Sequence, residues 1–172
     1  MKGYSCNTEV CPRCRAKGCC NPHASYHRTL IDFIAGKPVY SRIIVCRVIC
    51  TSCGHTHAVL PDVMIPYATY SLFFILRVLA EFFTHLCTVE KLCARFSITP
   101  AMLYRWKALF LDHKKLWLGV LGDAGTQPRS FLCQICRHPD YSASFAAPFV
   151  LLTTHSFLQS HRNPADFRQT VF

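Results

Sequence analysis

The chain has 172 residues, of which 51% are hydrophobic and only 16% charged. That excludes a disordered tail and allows one ordinary domain or two small ones. Lys and Arg number 19 against 9 Asp and Glu, a formal charge of +10, which points to a polyanion as partner and leaves few carboxylates for a catalytic site built on paired acids.

The basic excess is concentrated early: residues 1–60 carry a net +6, residues 61–121 a net +3 and residues 122–172 a net +1. The start, Met1-Lys2-Gly3-Tyr4-Ser5-Cys6, lacks the apolar stretch of a secretory signal, so a cytoplasmic, nucleoid-associated setting is expected. In that setting the 12 Cys read as metal ligands or buried thiols rather than disulfides.

In chain order, Cys11-Pro12-Arg13-Cys14 comes first. Tyr26–Phe33 has the composition of a strand, Ala35-Gly36-Lys37-Pro38 that of a turn, and Val39–Ile49 is β-branched and roughly alternating. Cys50-Thr51-Ser52-Cys53-Gly54 follows, then a short third strand from His57 to Leu60, ended by Pro61. Two CxxC pairs separated by 35 residues of hairpin-like sequence have the layout of a zinc ribbon. Two intervening residues let both thiolates of a pair turn onto one ion, and four thiolates close a tetrahedral shell. The reading is one structural Zn2+ on Cys11, Cys14, Cys50 and Cys53. Cys6, Cys19, Cys20, Cys46, His23, His55 and His57 lie in the same region and compete as ligands, although Cys46, inside the second strand, reads better as a small buried residue. His55 and His57 share a strand face and read as a surface or phosphate-facing pair.

Tyr67–Leu86 is apolar enough to suggest a membrane span, but Arg77 and Glu81 sit near its middle, four apart on one helix face. A charge pair at the bilayer centre costs several kcal/mol, so a buried amphipathic helix is predicted and no membrane contact. Val89–Ala108 then reads as a helix-turn-helix. Thr88 caps the first helix, and Leu92 and Phe96 share its inner face. Ser97 takes the turn, Thr99 caps the second helix with Pro100 at its first position, and Ile98 staples onto Leu103, with Trp106 also inward. Left outward are Thr99, Ala101, Tyr104, Arg105 and Lys107. Residues 122–130 look like a linker, and 131–172 show no clear periodicity apart from a weak third pair, Cys133-Gln134-Ile135-Cys136. The fold expected is α+β: a small β zinc ribbon over 1–61, an all-α helix-turn-helix domain over 62–121, and a linker with a poorly structured C-terminal segment over 122–172.

The order of these parts resembles a known family. The Cys11–Cys14 pair, the His23–Arg28 strand and above all Cys50–Tyr70 resemble the DUF6431 family of small bacterial proteins found near mobile elements. They are also similar to the zinc-ribbon-plus-helix-turn-helix heads of insertion-sequence transposases, whose recognition helices Leu103-Tyr104-Arg105-Trp106 resembles. The resemblance covers roughly residues 8–120 and implies a DNA-recognition module or regulator, with a transposase or recombinase as a further partner.

The function expected is therefore binding of double-stranded DNA without catalysis. Asp62, Glu81, Glu90, Asp112, Asp123, Asp140 and Asp166 show no spacing that would gather carboxylates around ions. Tyr104 and Arg105 are the expected base contacts, with Thr99 and Ala101 beside them at the start of the helix. Lys107, Lys114 and Lys115, with Arg28, Arg42 and Arg47 and the neighbouring Arg13, Arg15 and Lys17, are the expected phosphate contacts. The alternative is a zinc-ribbon protein-interaction module or an accessory subunit of a transposition complex.

Overall fold

The computed structural model describes residues 9–61, 63–113, 127–137, 149 and 157–159. The chain is α+β: a three-stranded antiparallel sheet in the order β1-β2-β3 is followed by helices. The strands are β1 (Cys20–Ile34), β2 (Lys37–Cys50) and β3 (Thr56–Val59). The helices are α1 (Leu72–Thr84), α2 (Val89–Phe96), α3 (Pro100–Asp112) and α4 (Pro128–Arg137).

β1 and β2 are joined by a two-residue turn in which Ala35 and Gly36 both have positive φ, 50° and 81°. That is the primed turn whose twist matches the flanking strands. β1 begins six residues before the predicted Tyr26, because ladder hydrogen bonds carry it through Asn21-Pro22-His23-Ala24-Ser25, a stretch of weak strand propensity. β2 pairs with β3 in the register Cys46↔Val59, Arg47↔Ala58, Val48↔His57 and Ile49↔Thr56.

The chain divides into two compact units. Of the described residues, the first contains 9–29 and 42–61, and the second contains 30–41, 63–113, 127–137, 149 and 157–159. The boundary expected at residue 61 therefore misses a segment. The hairpin tip belongs with the helices because Ile31 is buried in their core and the Phe33 ring lies 4.4 Å from that of Phe96 and 6.1 Å from that of Phe74. Asp32 fixes the segment further by accepting a 3.0 Å hydrogen bond from the hydroxyl of Ser71, the buried N-cap of α1.

α1 buries Leu72, Phe74, Ile75, Leu76, Val78 and Leu79, while Arg77 and Glu81 pair at 3.5 Å, four residues apart as expected. No helix among the described residues is long and apolar enough to cross a membrane. Phe74 is the centre of the second unit's core, with the rings of Phe33, Tyr70, Phe96 and Trp106 4.8–6.1 Å from its own. Edge-to-face packing of this kind adds to plain area burial.

The segment expected to be a linker and poorly structured tail contains α4, whose Phe131, Leu132 and Ile135 are buried. Phe149, Phe157 and Leu158 join the same core. The physical reason lies in the helix itself: Phe131 and Ile135 stand i,i+4 after a proline at the helix start, an amphipathic turn of helix that the adjacent CxxC spacing masks.

Candidate metal centre and exposed helical face

Among the described residues of the first unit, Val45 and Val48 are the buried aliphatic side chains. The unit's buried cluster is Cys11, Cys20, Val48 and Cys50, with Cys19, Cys53 and Val59 packed around it. Thiols occupy the positions where aliphatic side chains would usually stand.

Two turns of the same design hold the four expected ligands. In the first, the N–H of Arg15 donates to the carbonyl of Cys11 at 2.9 Å. In the second, the N–H of Gly54 donates to the carbonyl of Cys50 at 2.8 Å. The residue closing each turn is left-handed, with φ 64° at Arg15 and 68° at Gly54. Each first cysteine then donates its own N–H onward, Cys11 to Ala16 at 3.0 Å and Cys50 to His55 at 2.9 Å. The cysteines of each pair are thereby curled toward a common point.

At that point the sulfurs of Cys11, Cys14, Cys50 and Cys53 all lie within 4.8 Å of one another. Cys11 Sγ is 3.7 Å from Cys53 Sγ, and Cys14 Sγ is 3.6 Å from Cys50 Sγ. These are far longer than the ~2.05 Å of a disulfide. A tetrahedron with metal–sulfur bonds of about 2.3 Å has edges of about 3.8 Å. The four residues therefore fit one metal ion held by thiolates.

Electrostatics within the cluster are uneven. Desolvation opposes ionisation of Cys50, but the N–H groups of Cys53 and Ser52 and hydrogen bonds from Cys14 and Cys11 outweigh it and bring its thiol down to about 6. The Ala16 N–H favours the Cys14 thiolate, yet desolvation and the three neighbouring sulfurs leave that thiol pushed up to about 12. The Cys50 thiolate forms readily, whereas that of Cys14 requires a cation beside it.

The competing thiols have other tasks. Cys20 begins β1 and is buried against Cys11 and Cys50, where desolvation raises its thiol. The carbonyl of Cys19 accepts both the N–H of Thr51 at 2.7 Å and its hydroxyl at 3.1 Å, which ties the first cysteine loop to the second. His55 and His57 depart from the expected surface pair. Their rings stack at 6.4 Å, and His57 Nε2 lies 3.1 Å from Glu9 Oε1 with its side chain 12% exposed. Nothing near His57 in sequence announces that partner, 48 residues away. Desolvation and the charges of Arg13, His57 and Arg47 lower the His55 pKa.

Because Gly54 needs its left-handed backbone and a Cβ there would meet nothing within 4 Å, Gly54→Ala isolates the conformational cost. It is expected to destabilise the metal-loaded protein by about 1–2 kcal/mol, the penalty for an L-residue in this region. Chemical denaturation of the loaded protein measures it.

The second unit presents the other set of expected residues. Thr88 Oγ1 accepts from the Lys91 N–H at 3.4 Å and Thr99 Oγ1 from the Met102 N–H at 3.2 Å, so both caps form as the sequence indicates. Between α2 and α3 the chain turns at Ser97, left-handed at φ 53°, and Ile98 is buried. Leu92, Cys93, Phe96, Leu103, Trp106 and Phe110 line the inside. Thr99, Ala101, Tyr104 and Arg105 are exposed on α3. Lys107 is half-buried, with its Nζ 5.1 Å from the centre of the Phe82 ring, so it leans on α1 instead of projecting outward. Lys114 and Lys115 lie outside the described residues. On the sheet, Arg42 is exposed, Arg28 is half-buried, and Arg47 donates to Thr56 Oγ1 at 2.6 Å.

The family described as a domain of unknown function, DUF6431, matches residues 11–106. The chain belongs to this family. No curated protein and no solved structure matches the chain. The DUF6431 span opens on the first ligand, Cys11, and closes on Trp106, so it takes in all four clustered cysteines, α1, α2 and the first seven residues of α3. α4 lies beyond it.

Proposed function

We propose that the chain is a zinc-stabilised protein that binds double-stranded DNA through α3 and carries no catalytic site of its own. The observation supporting it most is the exposed face of α3. Thr99, Ala101, Tyr104 and Arg105 stand together at the start of a capped helix, across a three-residue turn from α2. That is the layout of a helix-turn-helix, whose second helix enters the major groove with its first turns against the bases. The excess of 19 basic over 9 acidic residues supports a polyanionic partner.

Zinc is the favoured ion because four cysteine sulfurs with edges of 3.6 and 3.7 Å make a closed, soft, tetrahedral shell. A closed shell has no open position for substrate, so the ion's role is to hold the first unit folded. Within this reading the chain is a nucleoid-associated recognition module or regulator of a mobile element, acting with a transposase or recombinase. That part rests on the likeness to transposase heads alone.

Selection of bound duplexes from a random pool tests the reading. On the best site Arg105→Ala is expected to cost about 1–3 kcal/mol and to relax base preference, with little effect on a scrambled duplex. Equal weakening on both duplexes would remove α3 from base recognition.

A further inference from the structure

The shank of the β1–β2 hairpin is built unlike the rest of the chain. Asn21 to His27 are exposed one after another on β1, and Arg42 and Ile44 are exposed on β2, while Val45 beside Ile44 is buried. Ordinary two-stranded ribbons are marginal in water. This one nevertheless keeps large apolar side chains in solvent, Tyr26 at 40% and Ile44 at 60% exposure. Single exposed residues of this kind are unremarkable, but Ile44 stands on the face of β2 opposite that of the buried Val45, on the side of the strand left open. Within 20–29 and 42–50 the charged and titratable side chains besides cysteine and tyrosine are His23, His27, Arg28, Arg42 and Arg47, with no carboxylate.

Two occupants could cover such a ribbon: another copy of it, or a polyanion. β1 is an edge strand, and its Pro22 lacks the N–H that edge-to-edge pairing would use. Like charges on two copies would also oppose each other. A two-stranded ribbon with its side chains matches the width of the DNA major groove, about 12 Å. Resting on the DNA reading above, we propose that the hairpin shank is a second DNA-binding element, distinct from α3, which lies in the major groove. Arg28 and Arg42 contact the flanking phosphates, and Tyr26 and Ile44 pack on the groove floor, where thymine methyl groups offer apolar surface.

The test uses the full chain loaded with zinc and a mixed-sequence duplex of about three helical turns. Arg28→Ala/Arg42→Ala is expected to weaken binding at least tenfold and to reduce the salt slope by about two units, one for each phosphate no longer neutralised. Arg42→Ala alone, at an exposed position, should give about half that change in slope. Tyr26→Ala/Ile44→Ser should weaken binding several-fold while leaving the slope unchanged, with zinc content and far-UV circular dichroism as for the wild type. If the wild type binds and these variants bind equally well, the ribbon proposal is overturned while the α3 reading stands. If the wild type binds no duplex, both fall. If Tyr26→Ala/Ile44→Ser instead abolishes a dimer seen by sedimentation, the ribbon is an interface between copies and the proposal is wrong.

Discussion

Replacing Cys50 by serine is expected to release the metal and unfold the first unit. Cys50 is fully buried, and its thiol is the one that the Cys53 and Ser52 N–H groups bring down to about 6. The rest of the buried cluster is Cys11, Cys20 and Val48, which offers little hydrocarbon to hold strands together once the ion leaves. In small zinc-folded peptides the ion contributes apparent binding free energies of about 10–16 kcal/mol, far more than this cluster could replace. Acid should act in the same direction. Bound thiolates have pKa values below those of free thiols, so the stabilisation is present above the free-thiol range and fades as pH falls through the bound values. Metal analysis and circular dichroism of Cys50→Ser decide the matter. A full complement of metal with native strand signal would show that Cys50 is not a ligand.

Phe74→Ala should be the most damaging single change in the helical unit, at about 3–5 kcal/mol. Phe74 is fully buried, and four rings are disposed around it. They come from the hairpin tip, the segment before α1, α2 and α3, so no small shift of one element can fill the hole. Thermal unfolding followed at the helical band should move down by about 10 °C or more for a chain of this size. A shift of only a degree or two would mean that the aromatic cluster collapses onto the gap.

Local signals carry much of this structure in the sequence. The CxxC pairs, the Ala35-Gly36 turn, the caps at Thr88 and Thr99 and the inward Leu103 and Trp106 are each set by neighbours within a few residues. What stays hidden depends on distant partners. Ile31 and Phe33 look like ordinary strand residues, and only the fold brings Asp32 to Ser71 across 39 positions. His57 reads as exposed because Glu9, its partner, stands 48 residues earlier. α4 is concealed by a competing pattern: Cys133 and Cys136 suggest a metal loop, while Phe131, Leu132 and Ile135 on the same ten residues build a buried helix face.

The two cysteine turns also set an order of events. Their inner ligands, Cys14 and Cys50, are separated by 35 residues, most of which form the β1–β2 hairpin. An ion arriving early finds two half-sites of two sulfurs each. It becomes four-coordinate only after the hairpin has zipped from its Ala35-Gly36 turn down to Cys20 and Cys50. Hairpins form in about 1–10 μs, so at ordinary zinc concentrations the bimolecular encounter with the ion is the slower step. Refolding of the first unit should therefore speed up in proportion to free zinc, until zipping of the hairpin sets the ceiling.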